Sequence, residues 1–411
     1  MPLDLQTRLF KSTCCIVGGG PAGMMLGYLL ARAGIEVTVL EKHADFLRDF
    51  RGDMIHPSTL ELMRELGDLT EFLKLPHTKF DKMTFNFEGQ EVMVADFASL
   101  PIASPFVAMM PQWDFLDFLA ARSQTHPNFH LMMRAEATGL LTEAGRVQGI
   151  SGVDDQGPFA IRADLTVAAD GRGSVLRNLA GMAVRDLGAP IDVLWFRVAR
   201  QDQDSKQSQG RFVGGNFTVM LNRGSYWQCA HVVQKDGFQT IRNAGLPAYR
   251  AMLDRTLGLV PPRGADITDW DQVKLLSVKV NRLERWWRDG LLFIGDAAHA
   301  MSPVGGIGIN VAIQDAVAAA NLLVGPLRRG KVSGADLAAV EARRLWPVRL
   351  TQGLQVMMQN RMIAPMLGRQ ATRPPLPFRL LAAFPWLRRF PARFIGIGIR
   401  PEKIGSDFLR N

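Results

Sequence analysis

The chain opens with a short run of small and β-branched residues, Ser12–Val17, followed by a glycine cluster. Apolar positions then recur at helical spacing from Pro21 to Ala33, Gly34 ends the helix, and Ile35–Leu40 reads as a second buried strand. Together they make a β-α-β unit of about 30 residues, the length that a parallel crossover needs. A helix over Ser58–Leu66 follows, with Pro57 before it and Gly67 as its C-cap. Alternation over Pro76–Phe106 predicts a small antiparallel excursion. Trp113–Gln124 reads as a helix, and Phe129–Ala135, Arg146–Val153 and Asp164–Ala169 as strands, the last running into Asp170-Gly171.

Residues 190–235 change character. Ile191–Ala199, Gly210–Leu221 and Tyr226–Val233 read as strands, with Asn222-Arg223-Gly224-Ser225 and Lys235-Asp236-Gly237 as hairpin signals. The crossover pattern returns with a strand at Gly290–Ile294 and a long helix at Ile307–Val324. No repeat of 20–50 residues is present.

Composition narrows the class. Of 411 residues 47% are hydrophobic and 21% charged, which excludes a disordered or collagen-like chain. Cys14, Cys15 and Cys229 cannot build a disulfide framework or a metal site, so a reducing cytoplasm is the expected compartment. Met1–Thr13 lacks the apolar centre of a signal peptide, and Asn310, Gln314 and Asp315 interrupt the most apolar stretch, Gly306–Val324. The net charge of +9 is local: residues 341–411 carry +10, and the first 340 residues hold 35 basic against 36 acidic side chains. Without a zinc-finger, helix-turn-helix or ribonucleoprotein pattern in that neutral body, no nucleic-acid partner is expected.

Gly18-Gly19-Gly20-Pro21-Ala22-Gly23 fits GxGxxG between a strand and a helix. One glycine permits the tight turn, the next admits a pyrophosphate to the backbone, and the third lets helix pack on strand. The helix N-terminus offers free amides and partial positive charge to the phosphates. Glu41, 23 residues after Gly18 and followed by Lys42, stands where a carboxylate accepts hydrogen bonds from ribose hydroxyls. This fingerprint alone leaves FAD and NAD open. The expected fold is α/β: a Rossmann-like dinucleotide domain from residues 1–75, 105–185 and 275–340, an inserted, mainly antiparallel β-sheet substrate domain from 76–104 and 186–274, and a helical or irregular basic C-terminal segment, 341–411.

Two further motifs decide the cofactor. Asp170-Gly171-Arg172-Gly173-Ser174-Val175-Leu176-Arg177 is DGxxSxxR after a buried strand. Gly295-Asp296-Ala297-Ala298-His299 follows another and runs through Pro303, Gly305, Gly306, Gly308 and Asn310 into a helix containing Asp315. With all three motifs in order over residues 14–322, the chain resembles the FAD-dependent aromatic hydroxylases, single-component flavoprotein monooxygenases typified by para-hydroxybenzoate hydroxylase. The resemblance implies FAD as cofactor, NADPH or NADH as co-substrate, and hydroxylation of an aromatic or quinone-like small molecule through a flavin C4a-hydroperoxide. It implies that Asp296, with Gly295, hydrogen-bonds the ribityl chain, and that Arg51 and Gln112 lie near the pyrophosphate and ribityl region. Asp170 would serve both FAD and the nicotinamide cofactor. Pro303 through Asn310 would lie along the isoalloxazine ring, with Pro303, Gly306, Ile307 and Gly308 beside the reacting centre. Plainer roles stand beside these: a helix cap for Asp296, a surface charge for Arg51, packing for His299 and a structural acid for Asp315.

The substrate side is less legible. Trp195, Phe196, Arg197, Phe212, Phe217, Met220, Tyr226, Trp227, Gln228 and His231 populate the second sheet, and only alternate residues can face one cavity, so either Tyr226 and Gln228 or Trp227 and Cys229 point inward. Only Tyr28, Tyr226 and Tyr249 are available, which argues against a tyrosine relay ionising a phenol. Leu376–Ile399 interleaves Arg379, Arg388, Arg389 and Arg393 with aromatic and aliphatic residues. It reads as a cap on the body, a contact between two copies in a homodimer, or a peripheral contact with an anionic membrane, which would fit a lipophilic substrate. A flavin-dependent reductase of a prenyl or other lipophilic substrate, and a non-catalytic FAD-binding module, share the fingerprint. The WxWxIP stretch of flavin halogenases is absent, since Trp286-Trp287 does not match it.

Overall fold

The computed structural model describes residues 7–47, 54–368 and 374–409, so Arg51 lies outside the described residues. The strand Val37–Glu41 is buried at every position, as a parallel strand covered on both faces must be. It pairs in parallel with Arg8–Val17, which pairs in parallel with Gly157–Ala168. The sheet runs Trp287–Arg288, Leu291–Phe293, Gly157–Ala168, Arg8–Val17, Val37–Glu41, Phe129–Met133, while Arg146–Asp154 and Glu136–Glu143 extend it as an antiparallel meander. Arg8–Val17 and Gly157–Ala168 both begin earlier than their apolar runs suggested. Their N-terminal halves are held by pairing with each other, from Arg8 opposite Phe159 onward.

Helices α1 (Pro21–Arg32), α2 (Pro57–Glu65) and α3 (Gln112–Ser123) cover one face of this sheet. A short helix, α4 (Val175–Leu179), follows the Asp170 motif. The face is completed by α6 (Gly308–Arg328), whose Ile313, Ala316 and Val317 pack with Met24 and Leu29 of α1 in the main core. By length and composition α6 could cross a bilayer, yet 78% of its most apolar window is buried inside the protein. It is a core helix.

The second sheet runs Lys274–Leu276, Ile191–Ala199, Tyr226–Gln234, Asn216–Asn222, Gln209–Val213, Lys82–Phe87, Gln90–Asp96, antiparallel throughout except where Gln209–Val213 meets Lys82–Phe87. Three expectations are corrected here. Gly210–Leu221 is two strands of a hairpin, because Gly214 and Gly215 both take positive φ (57° and 75°) and reverse the chain. The boundary at 274/275 falls inside a strand, since Leu275 and Leu276 pair with Leu194 and Val193. The boundary at 340/341 falls inside α7 (Gly334–Met358), which packs on α6. The outer face of this sheet is covered by α5 (Leu246–Leu257), against Phe196, Met220 and Trp227. Beyond α7, a π-turn at Gln359–Ile363 leads on to α8 (Leu376–Ala383) and α9 (Arg389–Gly396).

Candidate active site

A cavity of about 540 Å³ runs between the two sheets. One end is lined by Gly18, Gly20, Pro21, Ala22, Glu41 and Lys42, the middle by Gln112, Asp170, Arg172, Asp296, Pro303, Gly305, Gly306 and Gly308, and the far end by the second sheet. The three sequence motifs thus meet on one continuous surface. Of the expected site residues, Gly23, Gly295, Ile307 and Asn310 are not on that surface, and each has a structural reason.

Gly18 takes φ +110°, and a Cβ there would collide with the carbonyl of Ala169 at the end of the neighbouring strand. A Cβ on Gly23 would collide with the Gly18 carbonyl, so Gly23 acts by letting α1 approach the loop. Gly20 is the N-cap of α1, open on its Cβ side and without a side-chain cap, and Pro21 follows at the first turn. The Ala22 and Gly23 amides are left without helical partners, which suits an anion. Glu41 is buried at the end of its strand. Its Oε2 accepts from the Gly19 amide (3.2 Å) and its Oε1 from the His43 amide (3.0 Å), so the carboxylate is fixed against the glycine turn. A turn that excludes side chains beside a bare helix N-terminus fits the diphosphate of a dinucleotide.

Asp296 accepts from Arg172 Nε at 2.8 Å and remains 28% exposed, facing the cavity. It does not cap α6, which begins at Gly308. Arg172 Nη1 is buried without a partner, as is Asp170 Oδ1, while Asp170 Oδ2 accepts from the Leu176 amide at 3.2 Å. Burial raises the Asp170 carboxyl above its ordinary range. Two orphaned polar groups on the middle wall fit a polar ligand lying across it.

The loop Ser302–Ile307 is held from behind by residues that the sequence reading missed. Gln355 accepts from the Ser302 amide (3.3 Å) and donates to the Ser302 carbonyl (3.0 Å) and the Val304 carbonyl (2.9 Å). Gln359 donates to Ser302 Oγ at 2.5 Å, and Gln352 donates to the carbonyls of Asn281 and Ala300 (2.9 and 3.0 Å). These buried glutamines recur at helical spacing along α7 and into the π-turn, the one signal that could have exposed them. Asn310 spends its side chain internally: Oδ1 accepts from the His56 amide (3.0 Å) and Thr59 Oγ1 (2.7 Å), and Nδ2 donates to the Met54 carbonyl (3.2 Å). Ile307 is buried at the N-cap of α6, and a Cβ on Gly295 would press on Ala22 and Ala312.

His299 and Asp315 are structural. His299 Nε2 lies 2.5 Å from Asp315 Oδ2, and the ring packs on Trp286, 4.8 Å between centroids. Asp315 also accepts from the Gly295 amide (3.1 Å) and from Arg344 Nε (2.9 Å). Burial by itself would raise the Asp315 carboxyl, but His299 and Arg344 outweigh it and hold the group below its ordinary range. The pair steadies the turn that carries Asp296.

In the far chamber Ile191, Val193, Trp195, Phe212, Phe217, Val219, Ala230 and Val232 line the inner face of the sheet. The even-numbered side of Tyr226–Gln234 therefore faces the cavity, although its contribution is Ala230 and Val232, while Trp227 and Cys229 pack against α5. Of the expected aromatic set, Trp195, Phe212 and Phe217 reach the chamber, whereas Phe196 and Met220 lie behind the sheet. His231 is buried, and burial lowers it to about 4. Met358, Met362, Ile363, Met366 and Phe378 close the chamber from the C-terminal segment, which the sequence reading had not placed in the site. Among the described residues, no titratable side chain and no tyrosine lines this end.

A family model described as FAD binding domain matches residues 11–351. The 6-methylpretetramide 4-monooxygenase of Streptomyces rimosus is 33% identical over 404 residues, 96% of this chain and 94% of that protein. Pentachlorophenol 4-monooxygenase of Sphingobium chlorophenolicum is 25% identical over 77% of this chain, which spans only 58% of that relative. Among solved structures, p-nitrophenol 4-monooxygenase PnpA of Pseudomonas putida superposes with a TM-score of 0.77 at 18% identity, covering 96% of this chain and all of that one. PqsL, a probable FAD-dependent monooxygenase of Pseudomonas aeruginosa, gives 0.73 at 20% identity over 88% and 97% of the two chains.

Proposed function

Because the chain belongs to the FAD-dependent aromatic hydroxylases and is a flavin-dependent monooxygenase, we propose that it hydroxylates an uncharged aromatic or quinone-like small molecule, with NADPH or NADH as reductant. The observation that carries this reading is the division of one cavity into a polar half and an apolar chamber. Bound FAD would supply hydride acceptance and oxygen activation. The Gly18–Gly23 turn and the α1 N-terminus would hold its diphosphate, Glu41 its ribose, and Asp296 its ribityl hydroxyls, with Arg172 balancing the Asp296 charge. The backbone of Gly305 and Gly306 and the uncapped N-terminus of α6 would face the ring and stabilise negative charge on it. Trp195, Phe212 and Phe217 would orient the substrate ring and exclude water. Among the described residues no side chain in the chamber is placed to take a proton, so the substrate's own donor groups would supply ring electron density. Three buried free thiols and the nicotinamide requirement suit the cytoplasm.

The test is NAD(P)H oxidation by the yellow, FAD-containing protein across neutral and carboxylated phenols and quinols, with labelled oxygen followed into product. Neutral substrates should stimulate oxidation and acquire label. Stimulation without oxygenated product would favour a reductase, and no stimulation by any aromatic compound would refute the reading.

A further inference from the structure

The C-terminal helices leave apolar surface uncovered on one side only. On the inner side, Phe378 of α8 packs on Phe85 and Phe87 (ring centroids 5.6 and 4.8 Å), Ala392 of α9 is fully buried, and the Ile395 carbonyl lies 2.7 Å from His56 Nδ1. On the outer side Leu376, Leu380, Phe384, Trp386 and Phe390 are exposed, Trp386 at 58% and Phe390 at 53%. Single exposed apolar side chains are ordinary, but five within 15 residues of a segment already anchored from behind form a patch.

Charge selects its partner. From 374 to 400 the chain carries Arg379, Arg388, Arg389, Arg393 and Arg400 with no acidic residue. The strand Gln90–Asp96, on which both helices pack, brings Glu91 and Asp96, the latter capping the Ala98 amide. Arg388 is turned inward, donating to the Leu381 carbonyl at 3.0 Å. Arg379, Arg389 and Arg393 stay exposed, and the Arg389 guanidinium lies 5.8 and 5.1 Å from the ring centroids of Trp386 and Phe390. Arginines beside exposed aromatic rings match a bilayer interface, where the rings enter the headgroup layer and the guanidinium groups meet lipid phosphates. A second copy stacked symmetrically on this patch would set arginine against arginine, which is repulsive.

We infer that α8 and α9 form a docking surface for an anionic lipid bilayer. Phe378 lines the chamber from the same helix that presents Leu376 and Leu380, so docking brings the chamber wall to a source of lipophilic molecules. The inference needs no turnover and stands apart from the substrate assignment. Three exposed arginines, each contributing about fivefold near an anionic surface, predict about a hundredfold stronger partitioning to anionic than to neutral vesicles at low salt, falling as salt screens the charges.

The experiment is flotation of the flavin-loaded protein with phosphatidylglycerol–phosphatidylcholine and with phosphatidylcholine vesicles, at low and high salt. Wild type is compared with Arg379→Gln/Arg389→Gln/Arg393→Gln and with Trp386→Ser/Phe390→Ser, and flavin content and sedimentation velocity are recorded for each. These side chains are exposed, so both variants should keep their flavin. Binding to anionic vesicles that is lost in both variants supports the inference. No wild-type binding at low salt overturns it, as does binding that both variants retain. A dimer that the variants dissociate, without vesicle binding, assigns the patch to a second copy instead.

Discussion

Gln355→Leu is the sharpest test of how the loop at Ser302–Gly306 is held. The side chain is 1% exposed and makes three hydrogen bonds to that loop, one accepted from the Ser302 amide and two donated to the carbonyls of Ser302 and Val304. Leucine fills nearly the same volume and supplies none of them. Each bond contributes about 0.5–1.5 kcal/mol net, and a buried partner left unpaired costs about 1–3 kcal/mol. Ser302 is itself buried, but Val304 borders the cavity and can regain water, so the total should be about 2–4 kcal/mol. If the loop loosens before the domain unfolds, the same energy appears as about thirtyfold to a thousandfold weaker FAD binding. Urea unfolding at matched slope and flavin-fluorescence titration divide the effect between the two. Gln355→Glu sharpens the comparison, because it keeps the size and an acceptor but turns oxygen toward two carbonyls. It should be at least as damaging as leucine. A Gln355→Leu protein with unchanged unfolding midpoint and FAD affinity would refute the assignment of α7 as the loop's support.

Asp296→Ala should weaken FAD binding by about tenfold to a hundredfold, the value of one charge-assisted hydrogen bond, with little change in stability, since its ion pair with Arg172 is partly exposed; equal losses of both would point to a folding role. Gly18→Ala should abolish FAD retention, because both the positive φ and the Ala169 carbonyl exclude a Cβ, and a variant that purifies yellow at full occupancy contradicts this. Burial lowers His56 and His231 to about 4. Between the unfolded value of about 6.5 and that value the unfolded chain binds protons that the folded chain refuses, so stability falls as pH drops through this window. Urea unfolding from pH 7 to 5 should show that decline, and His231→Phe should shallow it; equal slopes for both proteins would exclude His231 as a contributor.

Local chemistry made the dinucleotide half readable. Gly18 and Gly23 stand where a Cβ would strike a backbone carbonyl, Gly20 and Glu41 keep the fingerprint spacing around them, and Asp170 and Asp296 follow strands whose apolar runs mark their ends. Side-chain periodicity likewise placed Ile191–Ala199 at its observed limits. Four features escaped because their cause lies far along the chain. The glutamines of α7 have a purpose only where the helix crosses the Ser302 loop, about 50 residues away in sequence. Asn310 sits inside a motif that points to cofactor, yet its amide is consumed by Met54, His56 and Thr59, which the sequence places some 250 residues earlier. Which face of Tyr226–Gln234 turned inward depended on α5 covering the other face, and a strand's alternation is symmetric until something packs on one side. The C-terminal residues of the chamber wall, Met358, Met362, Ile363, Met366 and Phe378, read in sequence as ordinary apolar positions. Only their position against the second sheet makes them part of a site.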